Sequence, residues 1–164
     1  MIGKPNFLVY LFLSFNLFFT ACKTESKKSI INNQEITFSK EGELHIMKPD
    51  STVLMQIEIE IADNTYEIET GLMYRSKMRS DRGMLFLFSD EKPRYFYMKN
   101  TQIPLDILYI NEKNRIVSIF KNATPFDETT LPASDPAKYV LEINAGLIDK
   151  HNISEGDIIW FIRN

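Results

Sequence analysis

The sequence predicts a mainly β chain, folded as a single-domain sandwich or partly closed barrel with two short helices. Three observations support this. Residues 53–61 alternate apolar and polar, the period of a strand with one wet face. Short apolar runs then recur to the end of the chain, separated by turns rich in Asp, Asn, Gly, Ser and Pro. Only two short stretches repeat at helical spacing.

The first 21 residues carry one charge, Lys4, and an apolar run from Phe7 to Phe19 that is broken by Ser14 and Asn16. The run is shorter than the roughly 20 apolar residues of a spanning helix and fits the apolar region of a secretory signal. It ends Phe19-Thr20-Ala21-Cys22, which resembles a bacterial lipobox, where the cysteine becomes the lipidated N-terminus. The expected organisation is a signal peptide over 1–21, a lipidated Cys22 opening a polar tether over 22–35, and a β domain over 36–164. The expected location is the cell envelope, with the domain outside the cytoplasm and the membrane as partner through the lipid. Several acyl chains on one residue exceed the two signals that stable anchoring needs.

Composition excludes several functions. Cys22 is the single cysteine, so no intrachain disulfide and no cysteine-based zinc site is expected. No glycine-rich phosphate loop occurs, and no metal or cofactor is expected. Beyond the leader stand 18 Lys and Arg against 22 Asp and Glu, a net charge of −4 with no basic stripe. A nucleic-acid partner is therefore not expected, and the chain is read as a monomer.

In order, residues 36–38 and 43–47 read as short strands and 53–61 as the alternating one, its acidic face solvated. Asn64 and Glu67 have capping-box spacing; with Ile68, Leu72 and Met73 they predict a helix over 65–75. Residues 84–88 are apolar on both faces and read as a central strand. Residues 94–98 read as an aromatic strand with Tyr95 and Tyr97 on one face. Residues 105–110 and 115–120 flank Asn111-Glu112-Lys113-Asn114 as a hairpin. Residues 122–137 are irregular, 138–143 form a strand, 144–151 a short helix, and 158–162 the last strand.

Polar residues collect where the second and third of these central strands meet, at Lys99-Asn100-Thr101 and Pro104-Leu105-Asp106. Asp106 shares its face with Leu108 and Ile110. A carboxylate among apolar neighbours needs a partner, and Lys99 and Arg75 are the candidates. Glu142 lies between Leu141 and Ile143 in the strand read over 138–143. Arg75 reads either as a helix-end cation or as an anion clamp.

The motifs GLMYR at 71–75, GMLF at 83–86, FYMKNT at 96–101, PLD at 104–106, YVLEINAG at 139–146 and GD at 156–157 closely resemble the family catalogued as domain of unknown function one hundred and ninety-two. The match spans about residues 53–162. The family pattern has a tryptophan where this chain has Tyr97, and an aromatic is kept. The resemblance implies a mostly β, jelly-roll-like domain, often exported, and no established reaction. Its polar positions fall on Arg75, Lys99, Asn100, Thr101, Asp106, Glu142 and Asn144, which with Tyr97 make up the candidate ligand-binding residues.

These residues support three functions. In the leading one, a polar small molecule or glycan binds in a pocket beside MKNT-x-x-PLD. In the second, Lys99–Asp106 and Arg75–Glu142 pair internally and the domain serves as a structural or interaction protein of the envelope. In the third, Asp106 and Glu142 form the two-carboxylate pair of an envelope glycan hydrolase. The balance leans away from catalysis, and no catalytic residue is named.

Overall fold

The computed structural model describes Met1 and residues 36–164. Cys22, the leader and the tether lie outside the described residues. The fold is mainly β with two short helices, as expected. Among the described residues, nine strands and two helices run in the order β1 (Gly42–Met47), β2 (Val53–Ala62), α1 (Thr65–Thr70), β3 (Arg82–Lys92), β4 (Tyr95–Phe96), β5 (Leu105–Ile110), β6 (Ile116–Ala123), β7 (Leu131–Pro132), β8 (Ala137–Asn144), α2 (Leu147–Lys150) and β9 (Ile158–Arg163).

Seven strands make one mixed sheet in the order β6-β5-β8-β3-β2-β1-β9, and β4 and β7 pair separately. Only β2 and β3 run parallel, and the crossover between them carries α1. A bridge between Arg115 and Ile158 brings the two edges of the sheet together at one end. The sheet therefore curls without closing into a barrel.

The curled sheet has a core on each face. Leu85, Leu108, Leu141 and Ile143 point into one cluster with Ile57, Ile59 and the α2 residues Leu147 and Ile148. Met84, Phe86, Ile107, Tyr109 and Val140 point into the other, with Leu72, Met98, Ile103 and Leu131 joining them from beyond the main sheet. β5 is thus buried along its whole length, as a central strand covered on both sides must be.

Several boundaries differ from expectation. Residues 36–38 form no strand; the Phe38 ring instead carries the Arg82 guanidinium at 4.1 Å. The helix expected to reach Arg75 stops at Thr70. Asn64 caps it by accepting from Glu67 N–H at 3.0 Å, but Gly71 leaves with φ +48°. A side chain at Gly71 would also press on Phe86 Cζ, 3.0 Å from where its Cβ would sit. The aromatic strand shrinks to Tyr95 and Phe96, which pair with Leu131 and Pro132 inside the stretch read as irregular. The buried Tyr109 hydroxyl pins that stretch by donating to Leu131 O at 2.6 Å.

Asp106 fastens β5 to β6 and to α2. Fully buried, its carboxylate accepts from Asn122 N–H at 2.9 Å and from Ile148 N–H at 3.0 Å. The first bond holds the end of β6, where Asn122 has φ +54°. The second caps α2, whose own N-cap residue, Gly146, offers no side chain. The partners expected from sequence, Lys99 and Arg75, are not used. Replacing Asp106 with Ala strands a buried donor at Ile148 and a partly buried one at Asn122, and urea unfolding should show a loss of about 3 kcal/mol. A loss under about 1 kcal/mol would contradict this role.

Candidate functional site

Strand alternation decides which groups face the loops. Across the β5–β8 pairing, Asp106 stands opposite Ile143 and Glu142 opposite Ile107. Cross-strand partners share a face. Asp106 therefore points into the core closed by α2, and Glu142 points the other way, toward α1. The two carboxylates cannot act together on one bond, and the hydrolase pair is not formed.

Glu142 floors a cleft of about 310 Å³. One wall is α1 and its exit, with Ile68, Gly71, Leu72 and Met73. The other is aromatic, with Phe86 and Phe88 of β3 and Tyr95, Phe96 and Tyr97 around β4; Thr101 reaches in from the following turn. Phe96 meets Phe86 edge-to-face at 5.0 Å and Tyr109 at 6.0 Å, so the aromatic wall is braced from behind. Arg94 closes the rim. Its guanidinium stacks on Phe88 at 3.8 Å, with Nε donating to Ala137 O at 3.0 Å and Nη2 donating to Asp90 Oδ1 at 2.6 Å.

Only 5% of Glu142 is exposed, and among the described residues its carboxyl makes no hydrogen bond. Burial raises its pKa from the ordinary 4.5 to about 8, and the nearby Arg75 charge offsets part of that rise. At neutral pH the group is therefore mostly a carboxylic acid, able both to donate and to accept. Burial and the Glu142 charge also push the Tyr109 hydroxyl well above its ordinary value.

Arg75 is committed elsewhere. Its Nη1 lies 2.5 Å from Glu60 Oε2, with both side chains largely buried, and Glu60 Oε1 accepts from Ser39 N–H at 3.0 Å. Glu60 thus departs from the solvated face that its alternating strand implied. Arg75 Nε is buried without a hydrogen bond. Arg75 stands behind the cleft as a charge near Glu142, not within it as a clamp.

The family model described as uncharacterized ACR matches residues 45–161, nearly the whole described fold. The chain belongs to the DUF192 family. A solved structure from Sinorhizobium meliloti 1021, described as a candidate transcription regulator, is 35% identical, covers 77% of this chain and 97% of its own, and superposes with a TM-score of 0.71. A protein of unknown function from Novosphingobium aromaticivorans DSM 12444 is 36% identical over 72% of this chain and 83% of its own, with a TM-score of 0.68. No curated protein matches the chain.

Within this DUF192 domain the motif residues divide into two groups. Tyr97, Thr101 and Glu142 meet at the cleft, with Arg75 behind. The rest hold the chain in place. Asn144 Nδ2 donates to Met78 O at 2.8 Å and lies away from the cleft. Asn100 Nδ2 donates to the Tyr74 hydroxyl at 2.9 Å, and the Thr101 hydroxyl bonds Lys99 O at 3.3 Å. Lys99 itself is exposed and forms no ion pair with Asp106. Phe86, Phe88 and Phe96 were not among the sequence candidates. As apolar residues of strands they read as core, and Phe86 is indeed core, with Phe88 and Phe96 packed against the same cluster while also lining the cleft.

The shifted carboxyl makes stability depend on pH in a stated direction. An unfolded Glu142 releases its proton near 4.5 and the folded one near 8. Between those values the folded chain holds a proton that the unfolded chain has lost, so stability falls as pH rises through this window and levels off above it. Thermal melts from pH 4 to 9 should show this decline in the wild type and a smaller one in Glu142→Gln. Identical profiles for the two proteins would contradict a buried, unpaired Glu142.

Proposed function

We propose that this DUF192 protein is an envelope lipoprotein whose domain binds a polar ring-bearing small molecule, best matched by a sugar unit, in the cleft above Glu142. The observation that carries the reading is Glu142 itself, buried, aimed into a cleft and without a hydrogen-bond partner among the described residues. Among the described residues no protein donor or acceptor meets its carboxyl, and a ligand hydroxyl in the cleft would supply that bond. A neutral carboxyl matches a hydroxyl in both directions, since each donates and accepts. The aromatic wall offers flat faces to the C–H side of a sugar ring, and the Tyr97 and Thr101 hydroxyls offer polar contacts at its edge. MKNT-x-x-PLD contributes Thr101 to this site, while its Asp106 braces the opposite face.

A second reading has an observation of its own. Asp106 and Asn144 spend their side chains on backbone groups of the protein, and Asn100 spends its own on the Tyr74 hydroxyl at the surface. That pattern favours an internal polar brace, and an envelope interaction protein would need the same one. It leaves Glu142 unexplained, so the binding reading is preferred.

Thermal-shift titration of the full-length protein against sugars and other polar metabolites tests the cleft. A stabilising ligand is expected, and Glu142→Leu should weaken it roughly tenfold or more without lowering the intrinsic melting temperature, because no buried carboxyl is left unpaired. No shift from any ligand class, for a protein that melts cooperatively, would end the binding reading. Anchoring is tested by feeding cells a palmitate analogue. The wild type should take up label and Cys22→Ala should not; label retained by the variant would refute lipidation at Cys22.

A further inference from the structure

Two exposed rings are tied by their backbone to the turn that supplies Thr101 to the cleft. Tyr74 is 59% exposed and Phe126 63%. Both hold a positive φ, +63° and +62°, which bulky side chains rarely adopt. Neither belongs to a core cluster, so burial does not account for their placement. Each is fastened to the turn that enters the cleft. Tyr74 N–H donates to Asn100 O at 2.9 Å, and Phe126 N–H donates to Thr101 O at 3.1 Å. Thr101, and Met73 beside Tyr74, line the cleft itself. The turn thus holds two exposed rings, both next to cleft-lining residues.

The cleft is at the small end of ligand sites, which run from ~300 to ~1,000 Å³. A longer ligand has to extend beyond the cleft, and the turn carrying Thr101 holds these two rings next to it. An exposed tyrosine or phenylalanine costs little conformational entropy and offers a flat apolar face. Sugar rings present a matching C–H face, and successive units of a chain repeat it.

We infer that the ligand is a glycan chain of several units, with one unit in the cleft above Glu142 and its neighbours stacked on Tyr74 and Phe126. This rests on the reading of the cleft as a sugar site.

The test is calorimetric titration of the full-length protein with ladders of β-linked N-acetylglucosamine and glucose oligomers from one to six units. Affinity should rise roughly tenfold or more from one unit to four, as stacking of additional rings implies. That gain should shrink in Tyr74→Ala and in Phe126→Ala and persist in Tyr74→Phe, which keeps the ring. Binding of the single unit by each variant reports that it is folded. Affinity that is flat along a ladder yet lost in Glu142→Leu would overturn the extended site and leave the cleft reading standing. If neither ladder binds at any length, the glycan inference and the sugar reading of the cleft fall together.

Discussion

The carboxylate of Asp106 is the point through which both faces of the sheet are set. Fully buried in β5, it receives one N–H from the end of β6 and one from the start of α2. Those two bonds fix β5 against the elements that flank it, and β5 in turn pairs with β8 along six consecutive residues. Because side chains alternate along a strand, fixing Asp106 toward the α2 side sends its neighbours Leu105 and Ile107 to the other. Glu142, opposite Ile107, goes with them. A slip of β5 by one residue would turn Asp106 to the face that carries Glu142 and away from its two backbone donors.

The two buried acids show how environment divides one chemistry into two roles. Asp106 is met by backbone donors, which satisfy its charge. Glu142 is met by phenyl rings on its own face, with Arg75 drawn toward Glu60 instead. The nearby cation moderates the rise in its pKa without supplying a hydrogen bond. The result is a carboxyl that is neutral near pH 7, at the base of an aromatic cleft.

Much of the fold was legible because it is local. The alternation of β2, the hairpin at 111–114 and the two-sided apolar run of β3 each arise from a few neighbouring residues. The apolar setting of Asp106 was legible for the same reason, but its partners were not. They are backbone N–H groups 16 and 42 residues away, and a backbone donor leaves no mark in the sequence. The helical spacing runs past the true end of α1 because Leu72 and Met73 continue it, while Gly71 takes a φ that stops the helix. β4 and β7, at two residues each, are too short to show any period. Alternation assigned Glu60 to a sheet face correctly but not to the group that covers that face, which is Arg75. The cleft is silent in the sequence because one wall is strand aromatics and the other a short helix and its exit, which the chain brings together only on folding. Family resemblance brought Glu142 and Thr101 forward without saying which of the polar motif residues would meet.

The most direct measurement is an NMR map of the full-length protein, with the Glu142 side-chain carboxyl labelled with carbon-13, as a saccharide that stabilises the protein is titrated in. The expected result is a free carboxyl with its midpoint near 8, whose signal moves on binding together with the amides of Gly71 and Thr101 and the ring of Tyr97. A Glu142 carboxyl that titrates near its ordinary value and does not respond, with shifts confined to residues distant from the cleft, would contradict the site.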